Sequence, residues 1–334
     1  MKSSENNKKV SICVAQYNRA AQISACMESL LTQNYSNFEI VVVNDGSPDP
    51  KVTEILAKFE SEKVIVINQQ NTGFVGAMNA AIAAATGEYI AVQGAGDISY
   101  PTRLSKQVSE LVNNPKLGLV ASRYINRNVG GINDGKVHNE SSEHGYVTVE
   151  SIKKYNVINH GTVMFKRDLF QQTGGYRKFF KFAQDMDLWL RMLPLCQMLV
   201  MDEVLYDRGL FTADGIASDA RKTIVQKGLV SFAIQCYDDK KQFGQDLVDE
   251  FGDFAGLFKA PCRHNARFLA REALEGLRNK DHQLAKRRCN MAKNEKITLY
   301  VFITMILVSL HKAAGVNKLI ELVLNKLLPI NKAL

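Results

Sequence analysis

The β-branched run Ile40-Val41-Val42-Val43 leads directly into Asn44-Asp45-Gly46-Ser47-Pro48-Asp49, so an apolar strand ends in a carboxylate on a tight polar turn. A strand that is apolar at every position buries both faces, the condition of a parallel strand inside an α/β sheet. In open sheets of that kind ligands sit just beyond the carboxyl ends of the strands. Asp45 is thereby placed to accept hydrogen bonds from a base or ribose. Asp45-Gly46-Ser47 also reads as a simple strand-to-helix turn capping a helix that starts near Lys51, and the local pattern does not choose between the two.

The flanking sequence repeats the alternation. Val10 to Ala15 reads as a strand, followed by a helix with Ile23, Met27, Leu30 and Leu31 on one face. After the Val41 strand come a short helix carrying Val52, Ile55, Leu56 and Phe59, the strand Val64 to Ile67, an alanine-rich helix from Val75 to Ala85 and the strand Glu88 to Gln93. Pro101 opens a helix with Leu104, Val108 and Leu111, and Leu117 to Ala121 reads as another strand. This rhythm predicts an α/β domain, a mostly parallel mixed sheet flanked by helices. Asn126 to Gly145 lacks periodicity and reads as a long loop or lid. Order resumes with a strand at Gly161 to Phe165, a turn at Gly174-Gly175, a helix from Gln184 and a strand at Met198 to Leu205.

Beyond Ser218 helical patterns dominate, which predicts a polar tail over 1–9, a catalytic domain over 10–217 and a helical extension over 218–334. The extension is basic through Arg263, His264, Arg267, Arg271, Arg278, Lys280, Lys286, Arg287 and Arg288, and then carries an apolar run of about 14 residues, Ile297 to Leu310. A bilayer crossing needs about 20 apolar residues, so this run is too short to span. With the amphipathic stretch Val316 to Leu328 it reads either as an interfacial helix beside a basic patch or as a helix packed on the domain or in a homo-oligomer seam. The net charge of +8 favours polyanionic company: nucleic acid, an anionic membrane surface or a phosphorylated substrate. No aromatic-interleaved strand or nucleic-acid module is present, so nucleic acid is not an expected partner. Six scattered cysteines without a C-x-x-C pair predict reduced thiols, and the polar start lacks an export signal, so a cytoplasmic location is expected.

Four segments occur in a fixed order: Ser11-Ile12-Cys13-Val14-Ala15-Gln16-Tyr17-Asn18-Arg19, Val43-Asn44-Asp45-Gly46-Ser47, Asn71-Thr72-Gly73-Phe74-Val75-Gly76-Ala77-Met78-Asn79, and Gly87-Glu88-Tyr89-Ile90 leading to Gly96-Asp97. Together with Gln184-Asp185-Met186-Asp187-Leu188-Trp189-Leu190-Arg191, this set resembles the glycosyltransferase family 2 domain of the GT-A fold over roughly Val10 to Leu205. The resemblance implies a nucleotide-diphosphate sugar donor, expected to be a UDP-sugar, and inversion at the anomeric carbon. It implies that Ala15, Tyr17 and Arg19 line the uridine site, with Asp45 reading the base. Tyr17 supplies a ring to stack and Asp45 an acceptor for a base N–H. Asn71 and Gly73 correspond to the loop approaching the nucleotide, where glycine allows close backbone contact, although Gly73 also reads as a simple turn residue; Asn79, grouped with the nucleotide-sugar contacts, reads as a helix-face residue in that loop's support.

The family's D-x-D motif, in which one carboxylate meets the ribose and another holds Mg²⁺ or Mn²⁺, falls on Gly94-Ala95-Gly96, followed by Asp97. Gly96 and Asp97 are thus expected at the donor, with Asp97 as the one metal ligand; a metal-free site would require basic groups such as Arg103, Arg123, Lys178 or Lys181 instead. Asp185 corresponds to the catalytic base, a carboxylate at a helix start that deprotonates the acceptor hydroxyl. Asp187 reads as its support, Trp189 and Leu190 as core, and His160, Gln184 and Arg191 as acceptor or diphosphate contacts. The expected acceptor is a glycan or lipid-linked saccharide, as in cell-surface polysaccharide synthesis. The rivals are a non-catalytic nucleotide-sugar-binding protein, which accommodates Gly94 and Gly96, and a sugar-1-phosphate nucleotidyltransferase, which would want a Gly-rich basic loop where this chain has Gln16-Tyr17-Asn18.

Overall fold

The computed structural model describes residues 7–211, 220–311 and 327. They fall into two compact units, Met1–Ala220 and Arg221–Leu334. The first begins with β1 (Val10–Gln16), α1 (Ala20–Leu31), β2 (Phe38–Asp45), α2 (Pro50–Ala57), β3 (Val64–Gln69), α3 (Gly73–Ala84), β4 (Tyr89–Gln93), β5 (Ile98–Ser99) and α4 (Arg103–Asn113). It continues through β6 (Leu117–Val129), β7 (Val137–Glu140), β8 (Gly145–Tyr146), α5 (Val149–Lys154), β9 (Met164–Lys166), α6 (Arg167–Gln172), α7 (Gln184–Met192) and β10 (Gln197–Phe211).

One sheet of ten strands organises the unit in the order β3-β2-β1-β4-β9-β6-β10-β5, with β7 on β6 and β8 on β10. β2 and β4 are buried at every position, as two-sided cover by helices requires. β1 runs parallel to both, with Gln16 opposite Asn44 and Val14 opposite Gln93, so the turns that follow β1, β2 and β4 open at one edge of the sheet. On α1 the buried face is Ile23, Cys26, Met27 and Leu30; Leu31, expected inward, is exposed because it lies about 100° round from Leu30. Asp49 caps α2 through the Lys51 N–H, with Pro50 at the first helical position.

The second half departs from the sequence expectation. β6 and β10 extend well past Ala121 and Leu205 and pair in parallel, with register shifts around Met201 to Tyr206. The stretch read as a lid is largely the continuation of β6 and its antiparallel partner β7, turned through Gly130, Gly131 and Gly135 at positive φ. Every residue of β7 is exposed, so it never needed the apolar alternation by which strands are recognised. The strand expected from Gly161 is instead a 3-10 turn, His160–Thr162, before the short antiparallel β9. Asn159 holds that turn, its Oδ1 accepting from Gly161 N at 3.0 Å and its carbonyl from Thr162 Oγ1 at 2.9 Å.

The second unit is helical: α8 (Ala220–Phe243), α9 (Leu247–Phe251), a 3-10 segment Gly252–Phe258, α10 (Arg263–Arg278), α11 (His282–Glu295) and α12 (Leu299–Leu310). Ala273, Leu274, Leu277, Ala285, Cys289, Leu307 and Val308 form a core of three of these helices, α10, α11 and α12. Gly276 lets α10 and α11 meet, since a Cβ there would stand 3.0 Å from Ala285 N. No helix among the described residues is long and apolar enough to cross a membrane. The expected amphipathic stretch 316–328 lies outside the described residues apart from residue 327.

Candidate active site

A cavity of about 560 Å³ opens at the carboxyl ends of β1 and β4, within the ~300–1,000 Å³ typical of small-ligand sites. Ala15, Tyr17 and Arg19 reach it from β1, and Gln93, Gly94, Ala95 and Asp97 from β4. Tyr124 of β6, Arg208 of β10, the segment around Tyr155 to Gly161, and Lys181, Phe182, Gln184 and Asp185 at the start of α7 complete the wall. Asn18 and Arg19 both take left-handed backbone, φ 56° and 58°, an uncommon state for residues other than glycine. Hydrogen bonds hold it: Gln16 Nε2 donates to Asn18 O at 2.6 Å and Asn18 N to Ser47 Oγ at 2.9 Å. Arg19 Nη1 donates to Ala95 O at 3.0 Å and its guanidinium lies 3.7 Å from the Phe211 ring centroid. Tyr17 is 46% exposed at the mouth, with a ring face available for stacking.

Asp45 does not line this cavity. It is buried beside it, its Oδ1 accepting from Gln69 Nε2 at 2.7 Å, Thr72 N at 2.8 Å and Thr72 Oγ1 at 3.2 Å. The carboxylate therefore clamps the end of β2 to the turn before α3. Gly46, at φ +66°, permits this approach, because a Cβ would stand 2.7 Å from Asn71 N. Asn71 caps Gly73 N at 3.2 Å. Asn79 donates from Nδ2 to the Tyr176 carbonyl at 2.9 Å and accepts at Oδ1 from the Tyr176 N–H at 3.2 Å. None of Asn71, Gly73, Asn79 and Gly96 lines the cavity, although Phe74 does.

Asp97 does line it, yet both of its oxygens are engaged: Oδ2 accepts from Tyr206 Oη at 2.7 Å and Oδ1 from Gly209 N at 2.8 Å. Burial pushes its carboxyl above the usual range, opposed by those two hydrogen bonds and by Arg208 and Arg19. No group of three or more His, Cys, Asp or Glu among the described residues is placed to hold a metal ion. The donor set thus does not fit the expected Asp97 metal site: a hard cation seeks several oxygen ligands, and here a single, hydrogen-bonded carboxylate stands where the motif would supply more. Of the expected basic substitutes, Arg103 is fully buried, bonded to Gln93, Ser99, Gln107 and the carbonyls of Val92 and Val163. Burial lowers its pKa to about 10, so it stays charged at neutral pH as a strut beneath the site. Arg123 is paired with Glu140 and Asp202, and Lys178 is not in the wall; Lys181 is.

At the opposite wall Asp185 stands in the first turn of α7, where the helix dipole favours a carboxylate. Its Oδ2 accepts from Asn156 Nδ2 at 3.0 Å. Gln184 and His160 share the wall. His160 Nε2 lies 2.6 Å from Tyr176 Oη, and burial lowers the imidazole pKa while Asp185 raises it. Arg191, expected as an acceptor or diphosphate contact, faces away: its guanidinium binds Asp187 and the carbonyls of Thr173 and Gly175. Asp187 is 1% exposed between Arg177 and Arg191, and Trp189 and Leu190 are core.

Sequence reasoning missed Tyr124, Asn156 and Arg208. Tyr124 and Arg208 lie on strand extensions without apolar alternation, and Asn156 on an irregular segment, so none carried a local signal.

An open mixed sheet with its cavity at the ends of parallel strands, closed by a helix that presents a carboxylate, defines a GT-A-type glycosyltransferase fold. Residues 11–174 match the profile of Glycosyl transferase family 2, and the domain they form belongs to that family. EpsE of Bacillus subtilis (strain 168), whose name assigns it to the glycosyltransferases, is 29% identical over 188 residues, 55% of this chain and 66% of EpsE. An uncharacterized glycosyltransferase of Haemophilus influenzae is 27% identical over 203 residues, 55% of this chain and 60% of that protein. The chain therefore spans less than two thirds of either relative. Crystal structures of S. aureus TarS 1-349 share the fold at 16% identity: one has a TM-score of 0.53 and covers 90% of each chain. Another, in complex with UDP-GlcNAc, has a TM-score of 0.55 and covers 84% of this chain and 90% of TarS 1-349.

Proposed function

We propose that this protein is an inverting glycosyltransferase that moves a hexosyl or N-acetylhexosaminyl group from a UDP-sugar to a hydroxyl of a glycan or lipid-linked saccharide. The observation that carries the reading is Asp185 on the same cavity wall system as Tyr17 and Asp97, at the ends of the parallel strands. The ligand of the TarS structure supports the donor class. Tyr17 and Ala15 receive the uracil and ribose, and the diphosphate faces the turn after β4. Asp185 takes the proton of the acceptor hydroxyl as its oxygen attacks the anomeric carbon. The bond to the diphosphate oxygen breaks with its electron pair staying on that oxygen, and a single displacement inverts the carbon. His160 is a weaker candidate for the base, because its Nε2 is engaged with Tyr176 Oη at 2.6 Å and burial lowers its proton affinity.

The second unit, whose exposed arginines and apolar α12 suit an anionic lipid surface, supports the reading of a lipid-linked acceptor and a place on the cytoplasmic face of a membrane; a homo-oligomer is the competing use of that face. A thermal-shift panel of nucleotide sugars identifies the donor, since a ligand of the folded state raises its melting point. Asp185→Asn should then lower transfer by about 10²–10⁴-fold with donor affinity unchanged. Donor binding without turnover by the unmodified chain would instead support a non-catalytic binding protein, and full transfer by Asp185→Asn would remove Asp185 from the mechanism.

A further inference from the structure

The turn after β4 is built in a way that leaves no place for the missing carboxylates. A Cβ on Gly94 would collide with Asp97 Oδ2 and stand 3.1 Å from Tyr206 Oη. Gly96, at φ +85°, would put a Cβ 3.0 Å from both Gln22 Cβ and the Phe211 ring. The glycines are therefore packed against Asp97, Tyr206 and Phe211, and Asp97 is itself committed to the Tyr206 hydroxyl and the Gly209 amide. Positive charge reaches the same cavity from elsewhere. Arg208 and Lys181 line it, and neither has an ion pair among the described residues. Tyr206 and Arg208 stand two apart on β10, whereas Asp207 between them pairs with Arg127, as alternation along a strand dictates. The Tyr206 side chain reaches Asp97 and Gly94, so Arg208 is delivered to the donor side of the strand. Arg19 adds a third cation, fixed on the Ala95 carbonyl.

On the UDP-sugar reading above, we infer that Arg208 and Lys181, with Arg19 lining the same cavity, neutralise the departing nucleoside diphosphate in place of a divalent cation, so that transfer in this protein is metal-independent. When the anomeric carbon–oxygen bond breaks, its electron pair adds negative charge to the diphosphate. An arginine fork and a lysine ammonium bind phosphate oxygens through charge-assisted hydrogen bonds and need no ion at the moment of departure.

The test is calorimetric titration of the full chain with UDP and with uridine, in EDTA and in MnCl₂. UDP affinity should agree within about threefold between the two buffers. Arg208→Gln and Lys181→Gln should each weaken UDP by about tenfold in both buffers and leave uridine, which lacks the diphosphate, unchanged. Arg208→Lys, which retains the charge, should bind UDP better than Arg208→Gln, and exposed Lys181 provides a variant that does not disturb folding. UDP binding that falls more than about tenfold in EDTA overturns the inference, as does wild-type UDP affinity in Lys181→Gln and Arg208→Gln. If no nucleoside diphosphate binds in either buffer, the donor reading fails and this inference with it; metal-dependent binding defeats the inference alone.

Discussion

Asp185 and Asp187 stand two residues apart in one turn of α7 and have opposite surroundings. Asp187 is buried between two guanidiniums, which also tie α7 to the Thr173 to Arg177 turn. Neutralising it leaves two partly buried guanidiniums without their counter-charge, so Asp187→Asn should lower stability by about 2–4 kcal/mol, read as a lower urea midpoint. Asp185 is half-buried on a cavity wall with one side-chain hydrogen-bond partner among the described residues, Asn156. Asp185→Asn should change stability by only about 0.5 kcal/mol while lowering transfer by about 10²–10⁴-fold, so the two variants separate scaffold from chemistry. Gly94 makes a third case. Restoring the family's carboxylate with Gly94→Asp should destabilise the fold by about 1–3 kcal/mol through the clash with Asp97, and should bring no Mn²⁺ stimulation of transfer. Stimulation by Mn²⁺ in a folded Gly94→Asp protein would show that the turn can be reshaped into a metal site.

Between elements, the edge of the sheet opposite the cavity is joined by a carboxylate. Glu39 on β2 faces Ser11 on β1 and accepts from Ser11 Oγ at 2.6 Å, Lys9 Nζ at 2.6 Å, Thr86 N at 2.7 Å and Thr86 Oγ1 at 2.9 Å. Burial alone would raise its pKa, but these donors outweigh it and hold the carboxyl down to about 2, from 4.5. A folded pKa below the unfolded one stabilises the ionised form: the contribution is complete above about pH 4.5 and is lost as pH falls toward about 2. By linkage it is on the order of 3 kcal/mol at neutral pH. Glu39→Gln should therefore lower stability at pH 7 and flatten its decline between those pH values, measured by denaturant titration at each pH. Elements of this edge were legible in the sequence because burial on both faces writes itself as Val/Ile runs and as helical spacing. β7, β9 and the far ends of β6 and β10 were not, because their half-exposed or short segments have no apolar pattern to read. The candidate site divides along the same line. Tyr17, Arg19, Asp97 and Asp185 follow recognisable strands and turns, whereas Arg208 and Tyr124 become site residues only through strand pairing, and the hydrogen bonds of Asp45 to Thr72 and Gln69 could not be read from local sequence.

For the molecule as a whole, each unit has its own core, and the second carries surface features its core does not need. α12 buries Val301, Thr304, Leu307 and Val308 against its neighbours, yet Leu299, Phe302, Ile306 and Leu310, at spacings of three and four, remain exposed among the described residues. The same unit exposes Arg263, Arg267, Arg271, Arg278, Lys286 and Arg287. An apolar stripe with nearby cations is what an anionic lipid surface attracts: the charges gather the protein at the headgroups and the stripe contributes burial once there. The full chain should therefore float with phosphatidylserine-containing vesicles at low salt, float less with phosphatidylcholine alone, and be released as ionic strength shortens the Debye length. Leu299 is 77% exposed and Phe302 51%, so Leu299→Asp and Phe302→Asp should leave the circular dichroism spectrum unchanged. Each burial of such a side chain contributes about 1.5–3 kcal/mol, so either substitution should weaken vesicle binding by roughly tenfold or more. Vesicle binding that survives both substitutions would place the stripe against protein instead, and a fall in sedimentation mass in the same variants would identify that protein as a second copy of this chain.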